Sequence, residues 1–122
     1  MANVKQTVPL IMVSDIGKSA EFYCEVLGFS IRQTWEPRGQ LTWCWLDLGS
    51  ASLMLQQHSK DVDFTKPKGI GLYILCENVD PLHERISSNG GEVTPISVAF
   101  YGMRQFSAID PDGNEIWFEH PT

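Results

Sequence analysis

The residues of this chain best suited to chemistry are aromatic and carboxylate groups on short apolar runs. Trp43 and Trp45 alternate in 41–48, Met54, Gln56 and His58 alternate in 52–58, and Trp117 and Glu119 alternate in 115–120. Side chains two apart on a strand share a face. The dipeptide Gly49-Ser50 between the first two runs suits a two-residue hairpin turn. That register sets Trp45 opposite Met54 and Trp43 opposite Gln56, all four on one side. Such a face can stack a flat conjugated ligand and orient it with a few hydrogen bonds. Indoles beside a carboxylate such as Glu119 also suit a cation. Trp and Met on an inward strand face serve equally as core filling. Acid-base work by Glu119 or His58 stays open, since one placed carboxylate can act as a general base. No nucleophile-base-orienter set is legible.

These runs belong to a regular order of elements. The run 7–13 is apolar and rich in β-branched residues, as expected of a strand covered on both faces. Ser14 or Asp15 can cap a helix over 16–27 whose Ile16, Ala20, Tyr23 and Leu27 share a face, with Gly28 as its stop. Strands are predicted over 29–35, 41–48 and 52–58. The stretch 59–68, SKDVDFTKPK, is charged and aperiodic and reads as a linker. The order then returns: a strand over 70–76, then a helix from Asp80 as cap and Pro81 as first residue to about Asn89, stopped by Gly90-Gly91. A strand over 92–97 precedes a hairpin, 103–109 and 115–120, closed by Asp110-Pro111-Asp112-Gly113-Asn114. The reading is an α+β chain of two βαβββ modules, at about 5–58 and 69–120. His83 on the outer helix and His120, opposite in facing to Glu119, are expected at the surface.

A chain of 122 residues with 43% hydrophobic content suits one domain, 1–122. A net charge of −6 with nine Lys and Arg disfavours nucleic acid and anionic membranes as partners. No run approaches the ~20 apolar residues of a membrane span, and the N-terminus lacks a signal-peptide layout, so a cytoplasmic protein is expected. Cys24, Cys44 and Cys76 are odd in number and widely spaced, and are expected as free buried thiols.

Residues 8–29, VPLIMVSDIGKSAEFYCEVLGF, and 110–119, DPDGNEIWFE, together resemble the vicinal oxygen chelate superfamily. That group holds glyoxalase I, extradiol dioxygenases, fosfomycin resistance enzymes and bleomycin resistance proteins. The resemblance covers nearly the whole chain and implies two curved mixed sheets around a cleft, with helices outside. In metal-dependent members, four inward positions supply His, Gln or Glu to a divalent ion that holds two neighbouring substrate oxygens. On the family pattern these positions fall on Val8, Met54, Gly71 and Trp117, none of them a hard-metal ligand. The resemblance therefore implies no metal and no other cofactor. A displaced set of Glu119, Gln56 and His58 is the alternative, although a two-residue shift moves a side chain about 7 Å along a strand.

The implied cleft is lined by Trp43, Trp45, Met54, Gln56, Tyr73, Trp117 and Glu119, with Val8 and Leu10 beside them. Arg104, in Tyr101-Gly102-Met103-Arg104, is similar to the Trp-Gly-Arg run of bleomycin resistance proteins. It joins the ligand-binding set at the cleft rim, with pairing to an acidic neighbour as the structural alternative. The function implied is a metal-free homodimer with two clefts at its interface. Each would sequester an aromatic small molecule, cationic ones included, such as a bleomycin-type antibiotic. A glyoxalase- or dioxygenase-like enzyme with a displaced metal and a metabolite-binding accessory protein stay open.

Overall fold

The computed structural model describes residues 3–59, 63–64 and 69–122. Its first sheet, ordered β1-β4-β3-β2, is built from β1 (Leu10–Val13), β2 (Ser30–Trp35), β3 (Trp43–Leu48) and β4 (Ala51–Gln57). The second, ordered β5-β8-β7-β6, is built from β5 (Leu72–Leu75), β6 (Ser97–Val98), β7 (Met103–Ile109) and β8 (Glu115–Pro121). In each, the first strand pairs parallel with the last and the other pairs are antiparallel. The fold is therefore α+β with two βαβββ modules, as the order of elements predicts. Gly49 takes the first turn position between β3 and β4 at φ 59°, where a Cβ would be strained. The register that follows sets Trp45 opposite Met54 and Trp43 opposite Gln56.

The first helix, α1 (Ile16–Glu21), runs on into a π-helical turn, Phe22–Val26. Asp15 is its cap, accepting from the Lys18 amide at 3.1 Å. Ser14 instead turns away, its amide donating to Asp112 Oδ2 at 3.0 Å and its hydroxyl to Oδ1. Ile16, Ala20, Tyr23 and Leu27 are all buried, in one core with Cys44, Leu46, Leu53 and Leu55 of the sheet. The second helix, α2 (Val79–Ser88), is capped by Asn78, which accepts from the Asp80 amide at 3.0 Å. The cap thus lies two residues before the expected Asp80. Pro81 sits in the first turn, where its missing N–H forfeits no intrahelical bond.

Four further expectations are corrected. The strand expected over 92–97 shrinks to Ser97–Val98 and an isolated bridge between Val93 and Ala108, because Pro95 cannot donate to a ladder. The first strand is open on one side, with Leu10 45% exposed. His83 is half-buried, its ring edge-on to Phe106 at 4.9 Å and its Nε2 3.0 Å from the Thr94 carbonyl. His120 is half-buried as well, its Nδ1 accepting from the Val79 amide at 3.1 Å. All three cysteines are free; Cys44 is buried, which pushes its thiol up to about 11, and the other two are half-buried. Of the expected linker 59–68, only Ser59, Asp63 and Phe64 fall within the described residues. Among those residues, no helix is long and apolar enough to cross a membrane.

The modules meet on their helix side. The Tyr23 hydroxyl of the π turn donates to Asp110 Oδ2 at 2.8 Å, both residues being buried. Gly91 packs so tightly that a Cβ there would lie 2.7 Å from Ile86 Cγ2 and 2.8 Å from Val26 Cγ1. Tyr23→Phe deletes a bond to a buried carboxylate, so urea unfolding should show a loss of about 1.5–3 kcal/mol. A loss below about 0.5 kcal/mol would mean that the bond contributes nothing net.

Candidate functional site

Each sheet buries the face against its helix and leaves the other open. On the open face of the first sheet, Trp43, Trp45, Met54 and Gln56 are all half-buried and face one another by register. Trp45 is held in place by a network around Asp47. Its Nε1 donates to Asp47 Oδ1 at 2.9 Å, and the Ser52 hydroxyl donates to the same oxygen at 2.6 Å. Arg32 Nε lies 3.0 Å from Oδ2, with the guanidinium carbon 5.0 Å from the centre of the Trp45 ring. The Ser52 bond above all, then Trp45 and Arg32, hold the Asp47 carboxyl below its usual range against partial desolvation.

On the open face of the second sheet, Tyr73 and Trp117 stack at 5.7 Å with 8° between their planes. Beside them Glu119 is only 7% exposed. The Tyr101 hydroxyl covers it, 3.0 Å from Glu119 Oε2 and 2.9 Å from Gln105 Oε1. Partial desolvation, followed by the bond to Glu119 and its charge, pushes the Tyr101 hydroxyl up to about 12. It therefore stays a proton donor at neutral pH. Among the described residues, Glu119 Oε1 and the indole N–H groups of Trp43 and Trp117 have no protein partner. A groove of about 380 Å³, lined by Thr7, Pro9, Ser52, Tyr73 and Leu75 among others, joins the two modules and is of small-molecule size.

Seven of the residues expected in the cleft thus lie on the open faces, in two groups. Arg104, grouped with them from the sequence, lies instead on the helix side of the second sheet. It sits opposite His120, and its Nη2 is 2.8 Å from Asp80 Oδ1 in α2. Sequence reasoning missed Arg32, Asp47, Ser52, Tyr101 and Gln105. Period-2 alternation from Trp45 reaches Asp47, and the Gly49-Ser50 turn then sets Ser52 opposite it. Tyr101, placed by the loop before β7, carried no such signal.

The residues present do not fit the metal centre of the superfamily. Val8, Met54, Gly71 and Trp117 offer no carboxylate, amide or imidazole. Among the described residues, no three His, Cys, Asp or Glu side chains are grouped to hold an ion. The displaced set is divided between sheets, and two of its three members have protein partners: His58 Nδ1 accepts from the Ser59 amide at 2.8 Å, and Glu119 Oε2 from Tyr101 at 3.0 Å.

The Asp47 network has a pH signature. A carboxyl whose pKa is lowered on folding stabilises the fold above its unfolded value, about 4, and that stability fades as pH falls through the lower folded value. Wild type should therefore melt above Asp47→Asn at neutral pH, and the gap should close only in acid below about pH 4. A gap that is constant from pH 7 to 2 would assign the difference to packing instead.

A family model described as the Glyoxalase/Bleomycin resistance protein/Dioxygenase superfamily matches residues 4–118. Comparison with curated proteins found no match. Among solved structures, a glyoxalase-related enzyme from Clostridium phytofermentans is 21% identical with a TM-score of 0.79, over 99% of this chain and 98% of that one. A bleomycin resistance determinant encoded on the transposon Tn5 is 19% identical with a TM-score of 0.81, over 97% and 98%. TnmS3, an antibiotic binding protein from Streptomyces sp. CB03234, is 26% identical with a TM-score of 0.74, over the whole of both chains. With its fold and nearly all of its length in agreement, the chain belongs to the glyoxalase/bleomycin resistance protein/dioxygenase superfamily.

Proposed function

We propose that this protein is a metal-free binder that sequesters a flat aromatic small molecule, such as a bleomycin-type antibiotic. The observation that carries this reading is the clustering of aromatic groups on the two open faces, Trp43 and Trp45 beside Met54 on one and Tyr73 stacked on Trp117 on the other. The family resemblance assigns Met54 and Trp117 to positions that hold metal ligands in other members, which supports a site without an ion. Stacking on such surfaces holds flat ligands without demanding one substituent pattern. Glu119 Oε1 is placed to accept from an ammonium or N–H group of the ligand. The names of TnmS3 and of the Tn5 determinant support the same class of role.

The working form we propose is a homodimer with two clefts. Leu10, Tyr73 and Leu75 are 45%, 49% and 68% exposed on the open faces, and apolar surface of this kind gains by being covered. A second copy would cover it while leaving room for ligand. Free thiols suit a reducing compartment, which supports a cytoplasmic location.

Metal-free bleomycin, titrated while tryptophan fluorescence is followed, should bind at one molecule per chain, with the same affinity before and after EDTA. Sedimentation should give twice 13.7 kDa. Trp117→Ala should weaken binding about tenfold or more, a loss of roughly 1.4 kcal/mol, while the urea midpoint stays near wild type. Unchanged affinity with a large stability loss would make Trp117 a core residue and sink the reading. So would the failure of bleomycin and of every other flat aromatic antibiotic tried to bind.

A further inference from the structure

Among the described residues, Arg32 is a charged side chain on the open faces whose position no regular strand pairing explains. The register of β2 against β3 shifts between Ile31 and Gln33, so Arg32 has no cross-strand partner. A bulge of this kind re-aims a side chain. Here it brings the guanidinium to Trp45 and Asp47, on the same side as Trp43 and Trp35, which are opposite each other. Nε faces Asp47 Oδ2; among the described residues no hydrogen bond engages the two terminal Nη groups, and the side chain is 56% exposed. Asp47 takes hydrogen bonds from Ser52 and Trp45 at Oδ1 and holds Arg32 at Oδ2, so it anchors the arginine from its Nε side.

We propose that Arg32 is a specificity-determining residue of this cleft and selects flat aromatic ligands that carry an anionic oxygen group, an aromatic carboxylate being the simplest. This rests on the aromatic-cleft reading and adds to it a second pole, opposite in chemistry to Glu119. A ring that continues the aromatic surface of Trp43 and Trp45 would bring an in-plane carboxylate to the Nη edge, where the planar fork can donate two hydrogen bonds. A chain of net charge −6 repels anions as a whole, so a preference for one must come from local donors. A bulge with a charge on it also deters edge-to-edge pairing of an exposed strand. That role alone would give no dependence on ligand charge.

The test is calorimetric titration with 2-naphthoate and its neutral counterpart, 2-naphthylmethanol, at neutral pH. Wild type should bind the carboxylate about tenfold more tightly than the alcohol. Arg32→Gln should bring the ratio to about one while leaving the alcohol unaffected, and Arg32→Lys should lose most of the ratio because it lacks the fork. Arg85→Gln removes the same charge from the exposed face of α2 and should leave the ratio intact. If both probes bind equally to wild type, or the preference survives Arg32→Gln, the role of Arg32 is overturned and the aromatic cleft stands. If neither probe binds, this inference is overturned, and the aromatic cleft falls with it only where bleomycin and the other flat aromatic antibiotics fail to bind as well.

Discussion

A carboxyl group at 4% exposure has lost its hydration and needs hydrogen-bond donors in its place, and Asp110 collects four of them. Three come from its own turn: the amides of Asp112 and Asn114 and the side-chain amide of Asn114. The fourth, the Tyr23 hydroxyl, comes from the other module. Burial and the adjacent carboxylate push that hydroxyl far above its ordinary range, so it remains a donor. The turn that shapes the β7–β8 hairpin is thereby tied to the first helix. Because Trp117 and Glu119 ride on that hairpin, their placement relative to the first module depends on this buried bond.

With both helices and the Tyr23–Asp110 link on one side of the sheets, nearly all of the apolar core is spent there. What remains on the other side is a pair of half-covered aromatic surfaces. This asymmetry follows from packing: Leu53, Leu55, Phe106 and Phe118 are at most 2% exposed, while their strand neighbours Met54, Gln56 and Trp117 stay half-exposed. A fold that solves its stability on the helix side is free to vary the open side. The superfamily's chemistry can therefore change without its architecture.

Much of this was legible wherever a short-range rule governs. Gly49-Ser50 specified a two-residue turn, and period-2 alternation then placed Trp43, Trp45, Met54 and Gln56 together. The Asp110–Asn114 turn chemistry marked the closing hairpin. Misses occurred where geometry departs from a regular period. The bulge at Arg32 moves a side chain that alternation cannot follow, and the π turn after α1 leaves the buried stripe intact while changing the bonding. Asn78 displaced Asp80 as cap, since both residue types suit the position, and that freed Asp80 to pair with Arg104. Arg104 takes the helix side because the hairpin register sets it opposite His120, a period-2 signal that its motif resemblance overrode.

The polar groups of the open faces differ in one respect from those of an acid-base centre. A general base needs a free lone pair aimed at the substrate and a relay to dispose of the proton. Here Asp47 takes two hydrogen bonds at Oδ1 and an ion pair at Oδ2. Glu119, although open at Oε1, has as its partner among the described residues a Tyr101 hydroxyl pushed up to about 12, a poor relay for a proton. These groups fix the attitude of neighbouring side chains and present single edges outward: the Nη edge of Arg32, Oε1 of Glu119 and the indole N–H groups. Stacked rings set the plane of a ligand, and isolated hydrogen-bonding edges set its orientation within that plane. Such an arrangement is suited to recognition: the rings fix how a flat ligand lies, and the polar edges choose among ligands by where their own donors and acceptors fall.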